Sequence, residues 1–258
     1  MGSTYKRGAH STSLIDLFQP DTFGSLYADE YDTEHDPGTT EQTVALLKEL
    51  ADGGRALELA IGSGRVALPL HAAGVDVRGF DASAQMLDLL RAKPGGQAIQ
   101  TDIADMANFL IEDGPFDLAY LVFNTFFNLT SQADQLSCLQ HTARHLRPGG
   151  KFLLETFIPD LSMYNDPPSL RTLNMDTQQV VLEAAQHDPV TQVLEFQRIF
   201  IRDGQTQMKP LVMRYAMPPE IDLMARLAGM SLDARWGDWD RRPFTAESGM
   251  HISVYRKD

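Results

Sequence analysis

Apolar residues along this chain follow two alternating rhythms as far as residue 157. Short apolar runs at 55–61, 75–80, 97–100, 116–123 and 151–157 have the length and continuity of buried strands. Between them the spacing lengthens to that of helices. Val44, Leu46, Leu47 and Leu50 form one stripe, and Met86, Leu87 and Leu90 form another behind the helix-capping Ser83. Helices are also expected over 64–73 and 131–146, the latter stopped by Pro148-Gly149-Gly150. Strand–helix repetition of this kind predicts a parallel, doubly wound sheet.

The rhythm changes downstream. Residues 178–216 are β-rich, with turn signals at His187-Asp188-Pro189 and Asp203-Gly204, and read as a three-stranded antiparallel insertion. A helical stretch at 218–229 follows, then two β runs at 231–239 and 250–256 that close as a hairpin with a long loop. The expected fold is α/β: a Rossmann-like, seven-stranded, mostly parallel sheet with a terminal antiparallel hairpin and an antiparallel β cap inserted after strand five. The expected division is a flexible N-terminal segment (1–25), the Rossmann-like domain (26–158 and 217–258) and the cap (159–216).

The first strand runs into Glu58-Leu-Ala60-Ile-Gly62-Ser-Gly64-Arg65, and this loop carries the chemistry. Glycine is needed where a ligand approaches the backbone and where φ is positive. Such a turn at the carboxyl end of a parallel strand, opening a helix, suits a nucleotide-type cofactor. Three acidic residues fall near strand ends on the same sheet edge: Glu58, Asp81 and Asp102. A carboxylate after strand two can accept both hydroxyls of a ribose, and one after strand three an exocyclic adenine amine. Ala82, Met86 and Ile103 are placed to sandwich the ring.

Composition narrows the classes. The formal charge of −13 over 258 residues opposes a surface that tracks phosphates, so nucleic acid is not an expected partner. A lone cysteine, Cys138, excludes an intrachain disulfide and sits where a helix buries a structural thiol. No apolar run approaches the roughly 20 residues of a membrane span. Residues 1–13 are polar, without the apolar core of a signal peptide. A cytoplasmic protein follows as the expectation. No metal site is expected, and a homodimer is left open.

The motifs together resemble the class I S-adenosylmethionine-dependent methyltransferases. The matching pieces are Glu58-Leu-Ala-Ile-Gly-Ser-Gly64, Gly79-Phe-Asp81-Ala-Ser, Thr101-Asp102-Ile, the fourth strand from Phe116 to Asn124, and the fifth with its Pro-Gly-Gly from Leu146 to Leu154. They stand in the family's order over about 25–158. Ala60 departs from the pattern, occupying the place of the loop's first glycine in many members. The resemblance implies that Glu58 and the backbone of Ala60, Gly62 and Gly64 hold the methionine part of the donor. It gives the ribose to Asp81, the adenine to Asp102 and Ile103, and a place beneath the transferred methyl to Phe123 and Asn124. It also puts an N-terminal aromatic over the cofactor, a place filled by Tyr27 and Tyr31, which are the candidate catalytic residues. A dinucleotide dehydrogenase fits less well, because Glu58 would repel a pyrophosphate and attract the donor's ammonium.

The acceptor is expected to be a small organic molecule such as an aromatic or indole-like precursor or an amino sugar. Candidate lining residues are Phe127, Tyr164, Arg214 and Trp239, and His187 is a candidate base in a predicted turn. An RNA or protein methyltransferase, or a donor-binding module without turnover, are the rival readings.

Overall fold

In a computed structural model the described residues are 13–28, 38–164 and 169–258. Among them the strands are β1 (Arg55–Leu59), β2 (Asp76–Asp81), β3 (Gln100–Ile103), β4 (Phe116–Leu121), β5 (Leu146–Phe157), β6 (Ser169–Met175), β7 (Gln179–Asp188), β8 (Val193–Arg202), β9 (Gln205–Arg214), β10 (Met230–Trp236) and β11 (Met250–Lys257). The chain divides into two compact units: the described parts of Met1–Gln19 with Pro159–Tyr215, and of Pro20–Ile158 with Ala216–Asp258.

The larger unit holds a seven-stranded sheet of order β10-β11-β5-β4-β1-β2-β3. Strands β1 to β5 pair in parallel, while β11 runs antiparallel to both β5 and β10. The central strands are buried, which is why they read as continuous apolar runs. Leu46, Leu47 and Ala51 of the Thr40–Ala51 helix pack with Ala56, Leu118, Tyr120 and Leu153 in one apolar core. The Ala84–Ala92 helix starts as its sequence predicts, with the Ser83 hydroxyl accepting from the Met86 amide at 3.3 Å. Cys138 is fully buried in the Gln132–His145 helix, and burial pushes its thiol up to about 12. No helix among the described residues is long and apolar enough to cross a membrane.

Three boundaries in this unit differ from expectation. The helix after the glycine loop begins only at Ala67 and ends at Ala72, because Gly62 and Gly64 keep positive φ and the chain turns once more before it coils. Strand three is 100–103, not 97–100. Gly95 turns left-handed and Gly96 lies against the end of the preceding helix, where an added Cβ would be 1.9 Å from the Leu90 carbonyl oxygen. Strand five begins at Leu146, so Pro148-Gly149-Gly150 lies within it, where β4 and β5 shift register.

The smaller unit is an antiparallel sheet of four strands, order β6-β7-β8-β9, not three. The added strand, β6, lies at the sheet's edge and is mostly exposed, so it lacks the apolar alternation that marks a half-buried strand. His187 is in strand β7 and not in a turn. The turn starts one residue later, where the Asp188 carboxylate accepts from the Val190 amide at 2.9 Å.

Candidate functional site

Strand β1 connects onward to β2 on one side of itself, while its other neighbour β4 connects onward to β5. At such a reversal a crevice opens outside the strands' carboxyl ends. Glu58 stands at this point, in register with Gly79 on β2 and Tyr120 on β4. Side chains alternate faces along a strand, so Glu58, Gly79, Tyr120 and Asp81 share one face. Gly79 is required there, because an added Cβ would lie 2.6 Å from Ile61 Cδ1 and 3.0 Å from the Glu58 carbonyl oxygen.

The Glu58 side chain is 4% exposed, and the Tyr120 hydroxyl donates to its Oε2 at 2.9 Å. Burial pushes this carboxyl up to about 8, against the Tyr120 bond and the Arg65 charge. A buried acid held near neutrality in a crevice is a candidate functional group, and one that favours a cation as partner.

The loop beyond it alternates left-handed residues: Ala60 at φ 51°, Gly62 at 56° and Gly64 at 82°. At Gly62 an added Cβ would meet nothing within 4 Å, so this stretch of backbone faces open space. Gly64 is confined, with Leu90 and Leu68 carbons 3.0 to 3.1 Å from where its Cβ would be. Ala60 holds the same kind of conformation with a methyl group, a cost of about 1 kcal/mol. Ala60→Gly should therefore leave stability unchanged or raise it by up to about 1 kcal/mol, since relief of strain is partly offset by a freer unfolded chain. Urea denaturation checks this, and a clear loss would show that the methyl packs usefully.

Asp81 closes the loop. Its Oδ2 accepts from the Gly62 amide at 2.9 Å and its Oδ1 from the Ser83 amide at 2.8 Å. Burial raises its pKa, opposed by these backbone donors. The Ala82 amide is a third backbone donor to this carboxylate, which keeps acceptor capacity beyond the three. The Thr22–Tyr27 helix seats on the same turn: a Cβ on Gly24 would be 2.4 Å from Ser83 Cβ. Tyr27, in this helix, is fully buried. Tyr31 lies outside the described residues.

The third carboxylate does not join the other two. Asp102 is in register with Phe80 and so lies on the opposite face from Asp81, where Arg78 donates to its Oδ2 at 2.8 and 3.2 Å. Ile103 pairs in register with Asp81 and is 64% exposed. Ala82 is half-buried and Met86 buried.

Beyond β4 the backbone turns left-handed twice, at Phe123 (φ 60°) and Asn124 (φ 63°), before the short helix Thr125–Asn128. Consecutive residues of this kind cost roughly 1–3 kcal/mol each and persist only where the surroundings hold them. Here the Asn124 Oδ1 accepts from the Phe157 amide at 2.6 Å, and Glu155 Oε2 accepts from the Phe123 amide at 2.6 Å. Glu155 is a functional candidate that the motifs did not single out. Its signal in the sequence is an acid inside the apolar run Phe152-Leu-Leu-Glu-Thr-Phe157.

Of the lining candidates, Phe127 is fully buried and stands edge-on to Phe157 at 5.2 Å. Trp239 is buried and donates its indole N–H to Glu155 Oε1 at 3.3 Å. Tyr164 and Arg214 belong to the smaller unit. Tyr164 stands edge-on to Phe196 at 5.8 Å, and Arg214 donates to Gln192 Oε1 at 2.7 Å. In the same unit His187 Nε2 is 3.2 Å from the Tyr215 hydroxyl. Among the described residues no group of three acidic, His or Cys side chains could hold a metal ion.

Comparison with known proteins converges on one chemistry. A family model described as a methyltransferase domain matches residues 56–150. The cypemycin N-terminal methyltransferase of a Streptomyces species is 30% identical over 215 residues, covering 80% of this chain and 84% of the relative. The CcbJ methyltransferase of Streptomyces caelestis is 34% identical and superposes with a TM-score of 0.87 over 93% of this chain and 99% of that one. The amino pentose methyltransferase CalS10 of Micromonospora echinaspora shares the fold at 16% identity, with a TM-score of 0.68 over 90% and 97% of the two chains. Relatives this similar over this much of their length, together with a glycine loop flanked by Glu58 and Asp81, make the chain a member of the class I S-adenosylmethionine-dependent methyltransferases.

Proposed function

We propose that this protein moves a methyl group from S-adenosylmethionine to a nitrogen of a small organic acceptor, as a cytoplasmic enzyme of secondary metabolism. The observation that carries the donor's place is Glu58, a buried carboxylate beside a loop whose backbone at Gly62 faces open space. The residues fit this donor. Glu58 offers its charge to the ammonium, and the Asp81 carboxylate, held by backbone amides, would accept from the ribose hydroxyls. Ala60, Gly62 and Gly64 would pass along the methionine part, Ala82, Met86 and Ile103 would flank the adenine, and Phe123 and Asn124 would form the floor near the methyl. Tyr27, buried in a helix seated on Ser83, would close this side. Asp102, whose Oδ2 is held by Arg78, would meet the adenine edge through its backbone or its other carboxylate oxygen.

When bound, S-adenosylmethionine supplies a methyl group already activated by the sulfonium charge. The protein's part is alignment and exclusion of water. The acceptor's lone pair forms the new N–C bond as the S–C bond breaks. The positive charge passes to nitrogen, which then releases a proton to water or a base. Nitrogen is favoured by the relative that methylates the cypemycin N-terminus and by the chain's charge of −13, which draws cationic amines.

Calorimetric titration with S-adenosylmethionine tests the donor. Methyl-labelled donor should then be incubated with a short peptide bearing a free N-terminus, an amino sugar, an indole amine and phenols, with products read by mass spectrometry. Label on nitrogen in at least one amine is expected. Transfer only to oxygen or carbon would overturn the assignment of the acceptor atom.

A further inference from the structure

We propose that Glu155 is a positioning residue for methyl transfer, acting through the backbone of Phe123 and Asn124. The inference rests on the methyltransferase reading of the crevice and concerns how its floor is held. Glu155 is 8% exposed, near the carboxyl end of β5. Its two oxygens reach two loops: Oε2 accepts from the Phe123 amide at 2.6 Å, and Oε1 from the Trp239 indole, in the loop between β10 and β11, at 3.3 Å. A third loop arrives from β1, where the Arg65 guanidinium lies 5.1 Å above the Phe123 ring. Phe123 is thus held from its backbone by an acid and on its ring by a cation.

The grip falls on a strained turn. Phe123 and Asn124 both have positive φ without being glycine, and the bond from Glu155 holds them together with Asn124 Oδ1 to the Phe157 amide and the Asn124 carbonyl to the Phe127 amide. An alternative backbone would swing the Phe123 ring away from Arg65. In-line displacement tolerates little misalignment of the reacting atoms, so this turn sets a rate more than an affinity. Burial raises the Glu155 pKa, and the Phe123 amide, the Trp239 indole and Arg65 oppose that rise.

Two variants of the full chain test this. In Glu155→Gln the amide offers one accepting oxygen where the carboxylate offered two. Trp239→Phe removes only the indole donor. The readouts are kcat, acceptor KM, the Kd for S-adenosylmethionine by calorimetry, and exchange of the Phe123 amide proton in the free protein by NMR. For Glu155→Gln, kcat should fall at least about tenfold with the donor Kd within about threefold, and Phe123 exchange should speed at least about tenfold. Trp239→Phe should lower kcat about threefold with donor Kd unchanged. Unchanged exchange in Glu155→Gln, unchanged kcat despite faster exchange, or a parallel collapse of donor affinity would each overturn the proposal. If Glu155→Gln does not fold, unchanged kcat in Trp239→Phe overturns it. Failure of the wild type to bind the donor would instead sink the functional reading, while the exchange measurement still reports on Glu155.

Discussion

Replacing Glu58 with Gln should weaken S-adenosylmethionine binding about 30- to 150-fold, yet make the free protein more stable above pH 8. The first effect is the loss of a charge-assisted contact to an ammonium, worth about 2–3 kcal/mol in a buried setting. Gln keeps an oxygen for the Tyr120 hydroxyl, so the change is confined to charge. The second effect follows from the raised pKa. In the unfolded chain this carboxyl ionises near 4.5, whereas in the folded protein it ionises near 8. A raised pKa contributes stability fully below the lower value and loses it as pH climbs through the higher one. The free protein should therefore weaken between about pH 4.5 and 8, by at most about 5 kcal/mol from this group, and Glu58→Gln should flatten that slope.

Binding should carry the opposite signature. Below about pH 8 the ammonium meets a neutral Glu58, so association releases a proton and affinity rises with pH. Above it the donor's own amine, titrating near 8, is losing its charge, so affinity falls. A maximum near pH 8 in wild type, absent in Glu58→Gln, is the expected result. Calorimetry in buffers of different ionisation enthalpy reads the proton directly. A wild-type affinity flat from pH 6 to 8 would remove Glu58 from the ammonium site.

Asp81→Ala should cost more affinity, a few hundredfold, or about 3–4 kcal/mol, because a charged acceptor for two ribose hydroxyls disappears. It should also loosen the loop in the free protein, since the Gly62 and Ser83 amides lose their acceptor. Faster exchange of the Gly62 amide in Asp81→Ala, and a smaller change in Asp81→Asn, would mark the double role. The two variants thus separate a residue that burdens the free protein from one that organises it. Donor affinity in Asp81→Ala within threefold of wild type would place the ribose elsewhere.

Much of this site was legible because parallel strands buried on both faces are apolar throughout, so the acids at their ends stand out. Glu58, Gly62 and Gly64 are local signals of that kind, and Asp81 is legible as the acid that ends strand two, although the Gly62 amide it holds stands 19 residues earlier. What was not legible depends on pairing between distant strands. The face on which Asp102 lies is decided by its register with Phe80, and its partner Arg78 stands 24 residues earlier. Glu155 finds the Phe123 amide 32 positions away and the Trp239 indole 84 away. Strand β6, exposed along most of its length, has no buried face to write a period into the sequence. His187 looked like a turn residue because Asp188-Pro189 follows it, but the β7–β8 ladder continues through Asp188 opposite Val193.

The smaller sheet is entered from β5, and its exit leads through the Pro218–Leu227 helix and β10 to β11, the strand that pairs with β5. The chain between those two partners therefore forms a closed loop in the topological sense, with β6 to β9 made wholly from within it. Loop-closure entropy grows so slowly that doubling such a segment costs only about 0.6 kcal/mol. The β5–β11 pairing is thus nearly indifferent to how long the intervening strands are or what they spell. A lineage built on this plan can trade one four-stranded insert for another without refolding the seven-stranded sheet.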